Sequence, residues 1–170
     1  MKKIIISNMN KIIPKSEKHN QYEYYKHEVT DSTEKYEVSS PGEGNQTVTA
    51  FYNIPPGKSA YPFHYHTVNE EVFYIISGSG ILETYDAKYP ISTGDVVVCP
   101  AGREGAHKIT NTSETENLVY LDVDTNKTPE IAVYPHSNKV GIRAAGGIRD
   151  NYFMDSKVRY YDGEDIYDNE

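Results

Sequence analysis

Between residues 46 and 124 the apolar positions come in short β-branched and aromatic bursts cut by Gly, Pro, Asn and Asp: "QTVTAFYNI", "EVFYIISG", "GILETY", "DVVVCP", "HKITN" and "NLVYLDVD". Runs of this length and make-up favour a pleated, half-buried backbone. No repeat and no long amphipathic helical pattern accompanies them. Strand-like runs at such close spacing predict an antiparallel sandwich or barrel. Turn chemistry punctuates them: "IPPGK" opens the region, and "SGSG" (residues 77–80) and "STGD" (residues 92–95) read as hairpin turns.

The flanks read differently. Residues 1–45 are rich in Lys, Glu and Tyr and close with the linker-like "SSPGEGN", while residues 127–170 carry "YPHSNK", "AAGGIRD" and "YYDGED". "AAGGIR" reads as a flexible turn. Many of the 16 tyrosines lie in these arms, where their rings are expected to pack on a core and leave the hydroxyl wet. The expected organisation is one domain: an N-terminal arm over residues 1–45, a barrel over 46–126 and a C-terminal arm over 127–170, the arms covering the barrel or a subunit interface.

Length and charge narrow the functions. At 170 residues the chain fits one domain with a real core. Its formal net charge is −8, and residues 150–170 hold seven acids against Lys157 and Arg159. An acidic chain is a poor match for phosphate backbones or anionic lipid, so neither nucleic acid nor membrane is expected as a partner. The opening "MKKIIISNMNK" has too short an apolar run for an export or membrane segment. The single Cys99 has no disulfide partner within the chain, which suits a reducing compartment, and a cytoplasmic protein is expected. In its apolar run Cys99 reads as a buried core thiol rather than a nucleophile.

The chemistry gathers in "FHYHTVNEE", residues 63–71, which holds two of the six histidines. Side chains alternate along a strand, so His64 and His66 point the same way and form half of a metal site. If "TVNE" folds back as a turn, Glu71 returns beside them from the same hairpin, while Phe73 and Ile75 share its face as pocket lining. Glu70 is left to solvent. His107, entering "HKITN" after a Pro-Gly turn, is the further histidine placed to reach the same point; His19, His27 and His136 read as surface residues. Three imidazoles and a carboxylate suit a divalent first-row metal: Zn, Fe, Mn, Ni, Co or Cu. Arg103, in the "REGA" loop, is placed to bind a carboxylate or phosphate at the barrel mouth, or simply to face solvent. No residue declares itself a general base. Tyr52, Tyr61, Tyr74 and Tyr120 remain possible proton donors, with Tyr74 opposite in parity to Glu71.

Gly57, His64, His66, Glu71 and Gly78 resemble the first motif of the cupin superfamily, and Gly94, Pro100, Gly102, His107 and Asn111 resemble the second. Four residues separate His66 from Glu71, six separate Glu71 from Gly78, five separate Gly94 from Pro100 and three separate His107 from Asn111. Two departures are visible: the step from Gly57 to His64 is a residue longer than commonly written, and "REGA" lengthens the loop before His107 by two. The resemblance, to small single-domain bacterial cupins, implies an all-β, double-stranded β-helix (jelly-roll) barrel with His64, His66, Glu71 and His107 as metal ligands. It implies chemistry on a small oxygen-rich, sugar-like or carboxylate metabolite, of isomerase, dioxygenase, decarboxylase or lyase type. The alternatives are a small-ligand binding or sensing cupin and a structural oligomeric barrel. A homodimer formed by sheet-to-sheet packing is expected.

Overall fold

In this computed structural model, which describes residues 4–30 and 45–164, every long element is a strand. They are β1 (Lys15–His19), β2 (Tyr22–Glu28), β3 (Thr47–Ile54), β4 (Tyr65–His66), β5 (Glu71–Ser77), β6 (Ser79–Glu83), β7 (Lys88–Ser92), β8 (Val96–Cys99), β9 (Lys108–Asn111), β10 (Leu118–Thr125), β11 (Glu130–Tyr134), β12 (Lys139–Ala144) and β13 (Ile148–Phe153). Among the described residues the helical content is three single 3-10 turns. Among the described residues all pairings between these strands are antiparallel. One sheet runs β1-β2-β3-β10-β5-β8, a second β13-β12-β11-β4 and a third β7-β6-β9. The fold is the expected all-β jelly roll, and each of the six strand-like runs of residues 46–124 contains a strand.

The alternation builds the core. Along β3 the residues Val48, Ala50, Tyr52 and Ile54 point inward, and along β5 so do Glu71, Phe73 and Ile75. With Ile91, Cys99, Ile109, Leu118 and Tyr120 they fill the space between the six-stranded and three-stranded sheets. Ile54, Ile75 and Leu118 are wholly buried. Burying an aliphatic side chain of this size contributes roughly 1.5–3 kcal/mol. β7 was not legible as a strand; it contains Pro90, which is tolerated because β7 is an edge strand. The strand expected to carry His64 and His66 is short, β4 spanning only Tyr65–His66.

The turns differ from the expectation. "SGSG" and "STGD" make no hairpins: β5 pairs with β8 and β10, whereas β6 pairs with β7 and β9. Both segments are corners at which the chain leaves one sheet for another. At the first corner Gly78 has φ +84°, and a Cβ there would meet the Asn117 carbonyl oxygen at 2.4 Å, so a side chain is shut out twice over. The second is a tight turn in which the Asp95 carboxylate accepts from the Ser92 amide at 2.7 Å.

The arms pack as strands. β1 and β2 form a hairpin added to β3, and β11 to β13 form a meander that pairs with β4. "AAGGIRD" does hold a turn, with Gly146 and Gly147 both at positive φ, but its end belongs to β13. "SSPGEGN", save its final Asn45, lies outside the described residues, as does the end of the acidic tail. Tyr24 of the N-terminal arm packs its ring on the core and keeps its hydroxyl at the surface, where it donates to Glu17. Behind it the barrel tyrosines Tyr61, Tyr52 and Tyr120 continue a column with ring centroids 5.3–5.8 Å apart, and the Tyr52 hydroxyl bonds that of Tyr61 at 2.8 Å.

Candidate metal centre

The histidines arrive from different sheets. His66 is on β4 and Glu71 on β5, and these strands do not pair, so the expected hairpin is replaced by a connection between sheets. That connection is held by Asn69, whose buried side chain accepts from the Lys127 amide at 2.7 Å and the Thr125 hydroxyl at 3.0 Å and donates to the Lys127 carbonyl at 3.0 Å. His107 precedes β9 and pairs through its backbone with His64, with N–H to O distances of 3.1 and 2.9 Å in the two directions. The lengthened loop before it is taken up by a 3-10 turn, Arg103–Gly105. Gly105 packs so closely on Pro100 that a Cβ would lie 1.8 Å from the Pro100 carbonyl oxygen.

Hydrogen bonding orients the rings. The Nδ1 of His64 lies 2.9 Å from the Pro62 carbonyl oxygen and that of His107 lies 2.9 Å from the Gly105 carbonyl oxygen, so each Nδ1–H donates outward and each Nε2 lone pair faces in. His66 Nδ1 is buried without a hydrogen-bond partner among the described residues and faces Glu130 Oε1 at 3.7 Å. All three Nε2 atoms converge on one carboxylate. Glu71 Oε1 is 3.4 Å from His66 and 3.9 Å from His64, and Oε2 is 3.4 Å from His107. Donor atoms of His64, His66 and Glu71 all lie within 4.8 Å of one another. Spacings of this order suit donors around a first-row metal, whose bonds run about 2.0–2.2 Å. The nitrogen-oxygen set fits such an ion.

The electrostatics agree with that geometry. Burial, helped by the neighbouring imidazoles, pulls the His64 pKa down to about 3 against the pull of Glu71. That ring is neutral and ready to ligate. Burial also disfavours a charged His66, but the carboxylates of Glu130 and Glu71 outweigh it and push the ring up to about 10. Burial would raise Glu71, yet the three surrounding histidines hold it well below the usual carboxylate range. On β10, Asp122 and Asp124 face the same cavity; burial and the charges of Asp124 and Glu71 lift Asp122 well above its ordinary value, and burial and Glu71 lift Asp124 to about 7.

A cavity of about 130 Å³ holds His64, His66 and Glu71 together with Tyr52, Tyr61, Asn69, Asp122, Asp124, Glu130, Tyr134, Arg143 and Arg149. Of the residues read as pocket lining, Phe73 packs edge-on against His107, while Ile75 is sealed in the core one step further along β5. Arg103 is exposed and lies over the Tyr85 ring at 4.6 Å, away from the cavity's described lining. Tyr74 points out and is 46% exposed, as its parity required. Asp122, Asp124, Glu130, Arg143 and Arg149 were missed. The signal was present for the aspartates, which share the parity of Leu118 and Tyr120 in "LVYLDVD". For Glu130 and Arg143 the apolar pattern misleads: Glu130 heads the mostly apolar β11, and on β12 Val140 and Ile142 take the parity opposite Arg143, so alternation alone turns the arginine outward.

Residues 50–124 match the family model described as "Cupin domain", and that segment is a cupin domain. Over 70 residues, 41% of this chain, the sequence is 36% identical to the oxalate-binding protein of Thermotoga maritima. The match spans 54% of that protein, about half its length. The fold is similar to that of a candidate sugar phosphate isomerase from Acidithiobacillus ferrooxidans, with a TM-score of 0.72 and 24% identity over 88% of this chain and 90% of that one. A sugar phosphate isomerase of the cupin superfamily from Silicibacter pomeroyi gives a TM-score of 0.61 at 23% identity, covering 71% of this chain and 76% of that one. A predicted oxalate decarboxylase from Thermotoga maritima gives 0.56 at 24% identity, covering 74% of this chain and all of that one. At these identities the likeness shows the fold.

Proposed function

We propose that this cupin is an enzyme that uses a divalent transition metal, held by His64, His66, Glu71 and His107, to act on a small oxygen-rich metabolite. The observation that carries the reading is the orientation of the imidazoles. His64 and His107 each use Nδ1 on a backbone carbonyl and His66 turns Nδ1 to Glu130, so three Nε2 atoms meet at Glu71. When bound, the metal would supply Lewis acidity toward a carbonyl or a lowered pKa for coordinated water. The chain's own residues do the rest. The tyrosine column and Phe73 keep one wall dry, which strengthens every charge interaction inside. Asp122 and Asp124, held toward their protonated forms beside the ligands, can store a proton near the reacting group.

A second reading, a cupin that binds a small carboxylate without turning it over, is favoured by the segment similar to the oxalate-binding protein. One experiment separates the two. Each of Mn, Fe, Co, Ni, Cu and Zn is restored to the stripped protein, metal per chain is measured, and turnover of chelating hydroxy-, keto- and dicarboxylic acids and sugars is followed beside a His64→Ala, His107→Ala protein. Metal-dependent turnover lost in the variant supports the enzyme. Saturable binding without turnover supports the carrier, and absence of metal after reconstitution removes both metal readings in favour of a structural barrel. We further place the protein in the cytoplasm, where buried, unpaired Cys99 stays reduced, and expect a homodimer through the outer face of the six-stranded sheet, where Tyr74, Val96 and Val98 are exposed.

A further inference from the structure

The arginines of the C-terminal sheet stand outside the ligand set. Arg143 on β12 sits directly opposite Arg149 on β13, and on its other side directly opposite Glu130 on β11. Directly opposed residues share a face of the sheet, and all three line the cavity that holds His64, His66 and Glu71. Like charges directly opposite one another across a sheet are destabilising.

The acid next to Arg143 does not serve it. Glu130 turns its carboxylate toward the opposite side, where Oε1 accepts from the Thr67 amide at 2.9 Å and the Thr67 hydroxyl at 3.2 Å, Oε2 accepts from Asn69, and the group faces His66. Arg143 Nη1 is left buried with no hydrogen-bond partner among the described residues. A buried, unsatisfied charged donor is costly, and its persistence calls for an acceptor from outside the chain. There is room for one. Arg143, Arg149, Lys26 and Tyr61 line both the metal-centre cavity and an adjoining outer cleft of about 680 Å³.

We propose that Arg143, with Arg149 opposite it, forms an oxyanion subsite that binds a carboxylate or phosphate of the substrate while the substrate's other oxygen-bearing end reaches the metal centre. The planar guanidinium fork pairs with two oxygens of either group, which a lysine cannot do. The inference rests on the metal-dependent reading above and narrows it: the substrate is a small anion with two polar ends.

Calorimetric titration of inorganic phosphate and of malonate, separately, into the metal-loaded protein tests this. Variants Arg143→Gln, Arg143→Lys, Arg103→Gln and the His64→Ala, His107→Ala pair are run alongside, with metal content and melting temperature measured for each. The expected result is binding of one anion to the parent, roughly tenfold or more weaker in Arg143→Gln, no full rescue by Arg143→Lys, no change in Arg103→Gln, and unaltered metal content in all three. The preferred anion names the group. Equal affinity in the parent and a well-folded Arg143→Gln protein overturns the subsite, as does failure of both anions to bind the parent or loss of binding in Arg103→Gln. An Arg143-dependent affinity that survives in the double-histidine variant supports the subsite by itself. If the parent also takes up no metal, it is the metal reading that falls, and the subsite stands.

Discussion

The two ends of the barrel are built from the same strands and behave oppositely. On β10 the inward positions run Leu118, Tyr120, Asp122, Asp124, and on β5 they run Ile75, Phe73, Glu71 in the paired direction. One end is wholly apolar, with Ile54, Ile75 and Leu118 inaccessible to solvent. The other buries His64, His107 and several acids, and the side-chain oxygens Asp122 Oδ1 and Asp124 Oδ1 have no hydrogen-bond partner among the described residues. The first end stabilises the fold, while the second carries unsatisfied buried polar groups that cost free energy unless a ligand meets them. The aromatic pair Phe73 and Tyr120 marks the border, packed edge to face at 5.5 Å.

The comparison breaks most sharply at the ligands. The His64→Ala, His107→Ala protein is expected to fall from about one metal per chain to almost none by elemental analysis, with strand content by circular dichroism retained. At the apolar end the expectation reverses: Leu118→Ala should lower unfolding free energy by about 2–5 kcal/mol in denaturant titrations while metal per folded chain stays unchanged. Glu130→Gln acts on the border of the site. It removes the charge facing His66 Nδ1 and should weaken metal affinity by roughly 10–100-fold, read by competition with a chelating dye.

A gentler effect comes from pH. Asp124 is raised in the folded state to about 7 and Asp122 is raised as well, so the fold binds these protons more tightly than the unfolded chain does. Their contribution is fully present below the ordinary aspartate range and is lost as pH rises through about 7. The metal-free Asp122→Asn, Asp124→Asn protein should therefore show a flatter stability profile than the parent between pH 4 and 7, by denaturant midpoint. The smallest change is expected on the outside: Val96→Lys, on the exposed edge strand β8, should alter stability by less than about 0.5 kcal/mol. If the outer face of that sheet is a dimer contact, the same variant will be monomeric by light scattering.

Much of this was legible in the sequence, and the limits have physical causes. Parity placed His64 with His66 and turned Tyr74 outward, because one alternating strand carries its own frame of reference. The motif spacing joined Glu71 and His107 to the pair. What periodicity does not carry is which strand pairs with which: "SGSG" and "TVNE" have the composition of hairpin turns, yet each passes between sheets. Arg143 and Glu130 were hidden for the same reason. Their inward direction is set by the register of β11 and β12 against each other, while the apolar Val140 and Ile142 of β12 take the parity opposite Arg143 and so point the reading the wrong way.

The proposed ligands lie on or beside strands of three separately hydrogen-bonded sheets. A chain emerging during synthesis thus holds at most a two-imidazole fragment until the residues around His107 have been made and docked. Under the metal-dependent reading, metal choice would then be exercised by a finished cage, with its ring orientations already set, instead of by a loose chain that would take ions in the order of raw affinity.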